Sequence, residues 1–130
     1  MMIDYLDSEL KDLFERSHQE RFDLFTEQLV DNAEAWGLSK GKGWCLGQAD
    51  SDARAVALWP HPALAQCCAG GTWEGASPKR LALDTLLNEL LPSLAEDDLA
   101  VVVFPLISGE GLVVTPKDLY QQVRQIQLKG

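Results

Sequence analysis

Apolar positions along this chain change period repeatedly, and those changes mark out its elements. Leu6, Leu10, Leu13 and Phe14 stand three and four residues apart, which predicts a short amphipathic helix. The stripe lapses at residues 16–18 and resumes as Phe22, Phe25, Leu29, Ala33 and Trp36, a second helix over about 18–35 that Gly37 ends. Ser17-His18-Gln19-Glu20 opens this helix as a capping box. In it the serine hydroxyl takes one orphan N–H and the glutamate reaches back for another.

Beyond residue 40 the period shortens. Gly41-Lys42-Gly43 reads as a turn into a strand at 44–48. Ala49-Asp50-Ser51-Asp52 has turn composition, and 54–59 resumes as a strand, which together make a hairpin. Pro60-His61-Pro62 stops the second strand. A short helix at 62–69 then starts on proline and halts at Gly70-Gly71. A brief strand at 80–83 follows. Asp84 is read as the cap of a helix carrying Leu86, Leu87, Leu90, Leu91 and Leu94, with Pro92 kinking it. Residues 99–104 are apolar without alternation, as in a central strand buried on both faces. A turn at 108–111 leads to a strand at 112–114. Thr115-Pro116-Lys117-Asp118 caps a last helix with Leu119, Val123, Ile126 and Leu128. The predicted fold is α+β, a mainly antiparallel sheet of four to five short strands with helices packed largely on one face.

Four tryptophans, at 36, 44, 59 and 73, fall in the middle of the chain beside glycine, proline or short polar residues. Each indole buries much apolar area and requires one N–H partner. Trp44, Trp59 and Phe104 sit on or beside predicted strands and are expected in one core. Trp73, between Gly70-Gly71 and Glu74-Gly75, is expected partly exposed on a loop.

Charge divides the chain unevenly. Residues 1–35 hold ten acids against three bases, a net −7, whereas the remaining 95 residues are nearly balanced within the total of −9. No basic stripe exists to displace counterions from phosphates, so nucleic acid and anionic membrane are excluded as expected partners. The acidic excess is first a solvated helix face, and second a surface for docking another protein. We therefore delimit an acidic helical extension, 1–17, and a single α+β domain, 18–130. The extension's apolar face is expected to fold back on the domain or bury against another chain, which leaves a homo-oligomer open. The start lacks the basic and apolar regions of a signal peptide, and no apolar run reaches the length of a membrane span. Three cysteines, two of them adjacent, form no disulfide framework, so the expected setting is cytoplasmic with reduced thiols.

Catalytic motifs are not legible. The glycines at 37–43 imitate a phosphate loop but are one residue short, place Gly43 where a hydroxyl belongs and follow a helix. Cys67, Cys68 and His61 have soft-metal chemistry, but neighbouring cysteines on one helix cannot both point inward, and they read as small buried hydrophobes. No catalytic, cofactor or metal residue is assigned. The candidates for a ligand or partner surface are His61, stiffened between two prolines, Trp73, Trp36 and Glu110 at a glycine turn.

Taken in order, the helix with Phe22 and Phe25, Trp36-Gly-Leu, Gly43-Trp44 and Leu58-Trp59-Pro60-His61 resemble the small bacterial proteins of domain-of-unknown-function family 2750. Ala65 to Cys68, Trp73, Leu81-x-Leu83-Asp84, Phe104-Pro105, Gly111-x-Val113 and Pro116-x-x-Leu119 extend the resemblance across about 18–122. It implies one compact domain in a bacterial cytoplasm and carries no activity, ligand or site residue. The expected function is a non-enzymatic protein-interaction or regulatory module. The alternative is a small-ligand binder or enzyme with a pocket lined by the tryptophans and His61.

Overall fold

Two helices lead into the sheets, α1 (Asp7–Phe14) and α2 (His18–Asn32). The computed structural model describes residues 7–40, 43–44, 46–48, 54–69, 73–106 and 111–129. The capping box forms as predicted: Ser17 Oγ accepts from the Glu20 N–H at 3.1 Å, and the Glu20 carboxylate accepts from the Ser17 N–H at 3.3 Å. Helix α2 ends earlier than its stripe. Ala33 takes a left-handed φ of 57°, and the next seven residues form strand β1 (Glu34–Lys40). Trp36 thus lies on a strand, not on the helix face. Six register pairs with β5 (Ser77–Ala82) outweigh a helical period that ran on by only one more turn.

Beside β1 on its other edge lies β2 (Gly43–Trp44), giving the antiparallel order β2-β1-β5. The remaining strands are β3 (Leu46–Gln48), β4 (Arg54–Leu58), β6 (Ala100–Val103) and β7 (Leu112–Val114), in the order β3-β4-β6-β7. The predicted hairpin is present, with Leu46 opposite Val56. Among the described strands only β4 and β6 run parallel, and everything between them in sequence is their crossover. The α+β class and mostly antiparallel pairing agree with the sequence, while the strands divide between two sheets. The segment after residue 42 explains the division, since β2 pairs with β1 and β3 with β4. Among the described residues the sheets meet at one bridge, where Trp36 and Trp59 exchange backbone hydrogen bonds of 2.8 and 2.7 Å.

In the crossover, helix α3 (Pro62–Cys67) follows the Pro60 stop. Three abutting segments cover 83–96: α4 (Leu83–Thr85), a π-helical turn (Leu86–Leu90) and α5 (Leu91–Glu96). Ala82 occupies the cap position, and Asp84 is an exposed first-turn acid, which corrects its assignment as cap. The break expected at Pro92 takes the form of the π turn. Pro92 has no N–H to give the carbonyl four residues back, and Leu91 bonds the carbonyl of Leu86, five back. The last helix, α6 (Pro116–Lys129), is capped by Thr115 Oγ1, which accepts from the Asp118 N–H at 3.1 Å.

Val101, Val102 and Val103 are buried on both faces of β6, as their unbroken apolar run predicts. Phe25 and Leu29 of α2 and Leu119 and Val123 of α6 complete the core. Trp59 and Phe104 lie inside it, and Trp44 packs against it half-buried. The Trp59 indole N–H donates to the Pro105 carbonyl at 3.1 Å, and Phe14 of α1 sets its ring edge on Phe104 at 5.7 Å. Among the described residues no helix is long and apolar enough to cross a membrane.

Trp59 therefore joins ring burial, an indole hydrogen bond and the bridge between sheets. Replacing it with alanine is expected to cost about 3–5 kcal/mol, read as a lowered urea midpoint. An unchanged midpoint would contradict its place in the core.

Candidate functional site

Gly37 is where the candidate site begins. A Cβ added to it would stand 2.7 Å from both Cε3 and Cζ3 of Trp44, closer than any side chain allows. Glycine here lets the indole press against the backbone of β1. Lys79, the register partner of Gly37 on β5, brings its Nζ 5.1 Å from the centre of the Trp44 ring. Both are at the surface, the lysine exposed and the indole half-buried.

Between β5 and the helical stretch 83–96 runs an open groove of about 490 Å³. Trp44, Lys79 and Arg80 stand on its strand side. Thr85, Glu89 and Ser93, four residues apart, stand on its helix side. Arg80 donates from Nε to Glu34 Oε1 at 2.8 Å, while Trp36 Nε1 donates to Glu34 Oε2 at 2.8 Å. The groove thus combines an indole face, two cations, two hydroxyls and a carboxylate, a set that recognises by stacking and charge.

The residues singled out in the sequence gather elsewhere. His61 caps α3, its Nδ1 accepting the Ala63 N–H at 3.0 Å, which places the neutral ring's proton on Nε2. Trp73 is half-buried, with its ring perpendicular to Trp59 at 5.9 Å. Trp36 is half-buried on Glu34 and bridges to Trp59. Trp73 and Trp36 meet at the buried Trp59, which His61 follows by two residues, and the groove is lined by Trp44 instead. Glu110 lies outside the described residues, as do Cys45 and all or part of the turns predicted at 41–43, 49–52, 70–71 and 108–111.

The vicinal cysteines split as their spacing requires. Cys68 is buried with Sγ 3.7 Å from the Pro105 carbonyl, and burial, aided by Cys67, pushes its thiol up to about 12. Cys67 is exposed, so only one of the pair behaves as the expected buried hydrophobe. Among the described residues, no three histidine, cysteine or acidic side chains are grouped to hold a metal ion.

Residues 22–123 match the protein family described as Protein of unknown function (DUF2750). The chain belongs to this family. No curated protein and no solved structure matches it. The DUF2750 span contains both sheets and the whole groove, whereas α1 and the capping box of α2 precede it. The groove is therefore a property of the family's part of the chain. Sequence inspection missed it because its chemistry is assembled across β1. The adjacent cations Lys79 and Arg80 were the only visible signal, and they read as the approach to a short strand.

Two outcomes follow from these environments. In native protein at mildly alkaline pH, mass-mapped alkylation is expected to modify Cys67 and spare Cys68 until denaturant is added; equal labelling of both would refute the burial of Cys68. The second concerns Glu34, whose carboxyl is held below the usual range first by the Arg80 hydrogen bond. The Trp36 bond and the charge of Arg80 add to this, against an opposing effect of burial. A depressed folded pKa stabilises above the unfolded-state value and is lost as pH falls through the folded one. Glu34→Gln should therefore be slightly less stable than wild type near neutrality, the gap closing as pH falls in a series of urea melts. The effect is small because the Arg80 side chain is 55% exposed. A gap that widened on acidification would contradict the direction of the shift.

Proposed function

We propose that this protein is a non-catalytic protein-interaction module and that the groove beside β5 receives the partner. The observation that carries this reading is the Trp44 platform. A half-buried indole is seated on Gly37, with Lys79 beside it and Arg80 next along the strand. Aromatic and arginine side chains are the commonest energetic anchors of protein interfaces. The groove is open along its length, which suits a chain segment better than a small ligand that must be enclosed on most sides.

The enzymatic alternative has less support. His61 spends Nδ1 on its own helix, and the Cys68 thiol is held protonated against a carbonyl. Acids also line α2, with Glu20, Asp23, Glu27 and Asp31 all exposed. They offer charge to a partner without a cleft, and for that reason the groove is preferred to the acidic N-terminal region.

Immobilised wild type, Trp44→Ala and Lys79→Glu proteins, challenged with extract of the cells that make the protein, test the reading. A protein held by wild type and lost from both variants, at unchanged variant melting temperatures, is the expected result. Equal retention on all three would remove the groove from the function.

A further inference from the structure

We propose that the partner enters this groove as an added β-strand, an extended acidic segment that pairs with the outer edge of β5. The proposal rests on the groove being the binding site and adds the backbone as its main contact. Its first premise is the phase of β1. Trp36 exchanges both backbone hydrogen bonds with Trp59, on the side of β1 away from β5. Along a strand the N–H and C=O of one residue point to the same side and those of its neighbours to the other. Ala35 and Gly37 are therefore the residues of β1 that bond β5, and their register partners are Leu81 and Lys79. The Leu83 N–H, bonded to the Ala33 carbonyl at 2.9 Å, continues the same alternate set.

It follows that Arg80 and Ala82 direct their backbone groups away from β1. On that side of β5 the sheet holds no further strand among the described residues, and Arg80 and Ala82 both line the groove. The Ala82 carbonyl belongs to the helix it caps. The Arg80 N–H, the Arg80 C=O and the Ala82 N–H remain outside the ladder, in line. One residue of an incoming strand can exchange both bonds with Arg80, and a second, two positions away, can accept from Ala82. Pro78 has no N–H and closes the edge at its start, so the usable length is short.

Charge selects the occupant. A residue opposite Arg80 meets its guanidinium, of which the pair with Glu34 uses only Nε. Its neighbour meets Lys79 on the other face, beside Trp44. Carboxylates satisfy both positions. A second copy pairing β5 antiparallel to β5 about Arg80 would instead set Arg80 against its own counterpart, and like charges directly opposite destabilise a cross-strand pair. Cations on an edge strand deter self-association, and an acidic strand is the partner that they admit.

Selection of acidic peptides from a random octapeptide display library on wild-type protein is the first expected result. The best of them should protect the Arg80 and Ala82 amides from hydrogen exchange. N-methylating the peptide residue that faces Arg80 should weaken binding by about tenfold or more. Arg80→Pro deletes an N–H that the β1 ladder does not use and should weaken binding as much. Arg80→Ala keeps that N–H and should weaken it less. Peptides that need Trp44 but ignore both N-methylation and Arg80→Pro would overturn strand addition and leave the groove standing. Peptides indifferent to Trp44→Ala as well would overturn both. Selection of no peptide, or a solution dimer abolished by Arg80→Pro, would equally overturn an acidic strand as the occupant.

Discussion

The backbone exchange between Trp36 and Trp59 is the constraint on which the rest of this structure depends. It is the bridge between a three-stranded and a four-stranded sheet, and it is made where neither residue can shift. Trp59 is fully buried, its indole N–H tied to the Pro105 carbonyl and its ring against Trp73. Trp36 has its own indole tied to Glu34. Because strand geometry alternates, fixing one residue of β1 fixes all of them. Gly37 then faces Trp44, Lys79 stands opposite Gly37, and the outward groups of β5 are decided one strand away from the bridge.

A second fixed point lies at the end of β6. Phe104 takes a left-handed φ of 49°, a strained choice for a bulky residue, and its carbonyl accepts from Arg21 Nε at 3.0 Å. Arg21 Nη1 also binds the Arg16 carbonyl, so one side chain joins the turn after α1 to the end of the central strand. Arg21 is 2% exposed, its guanidinium rests 6.0 Å from the centre of the Phe104 ring, and desolvation lowers its pKa. Carbonyl dipoles and a ring face replace the carboxylate that a buried cation more often meets.

These two junctions also separate what was legible in the sequence from what was not. The caps at Ser17 and Thr115 are local chemistry and could be read directly. So could the β3–β4 hairpin and the two-sided apolar run of β6. Strand β1 could not, because Ala33 and Trp36 happen to continue the period of α2 and the pairing that overrides it comes from residues 77–82. Strand β5 looked too short because Pro78 argues against a strand, yet proline is tolerated at a sheet edge, where it lies. Arg21 occupies a polar position in its helix and is buried against Phe104, far from it in sequence. His61 was noticed for the prolines on either side of it, and its ring turns to its own helix. The groove escaped notice because Trp44, Gly37 and Lys79 become neighbours only across three strands.

The parallel pair β4–β6 has a consequence for synthesis. Ala55 finds its partner at Ala100, so one edge of β4 stays open while the whole crossover is being made. On the ribosome this apolar strand is paired along its length with β3 alone, with β1 bridged to Trp59 at its end, until the second half of the chain emerges. Such delayed pairing is slow to fold and exposes sticky surface. The nascent chain is therefore most vulnerable to misassociation while residues 60–99 are being added, and release from that state comes with the arrival of β6.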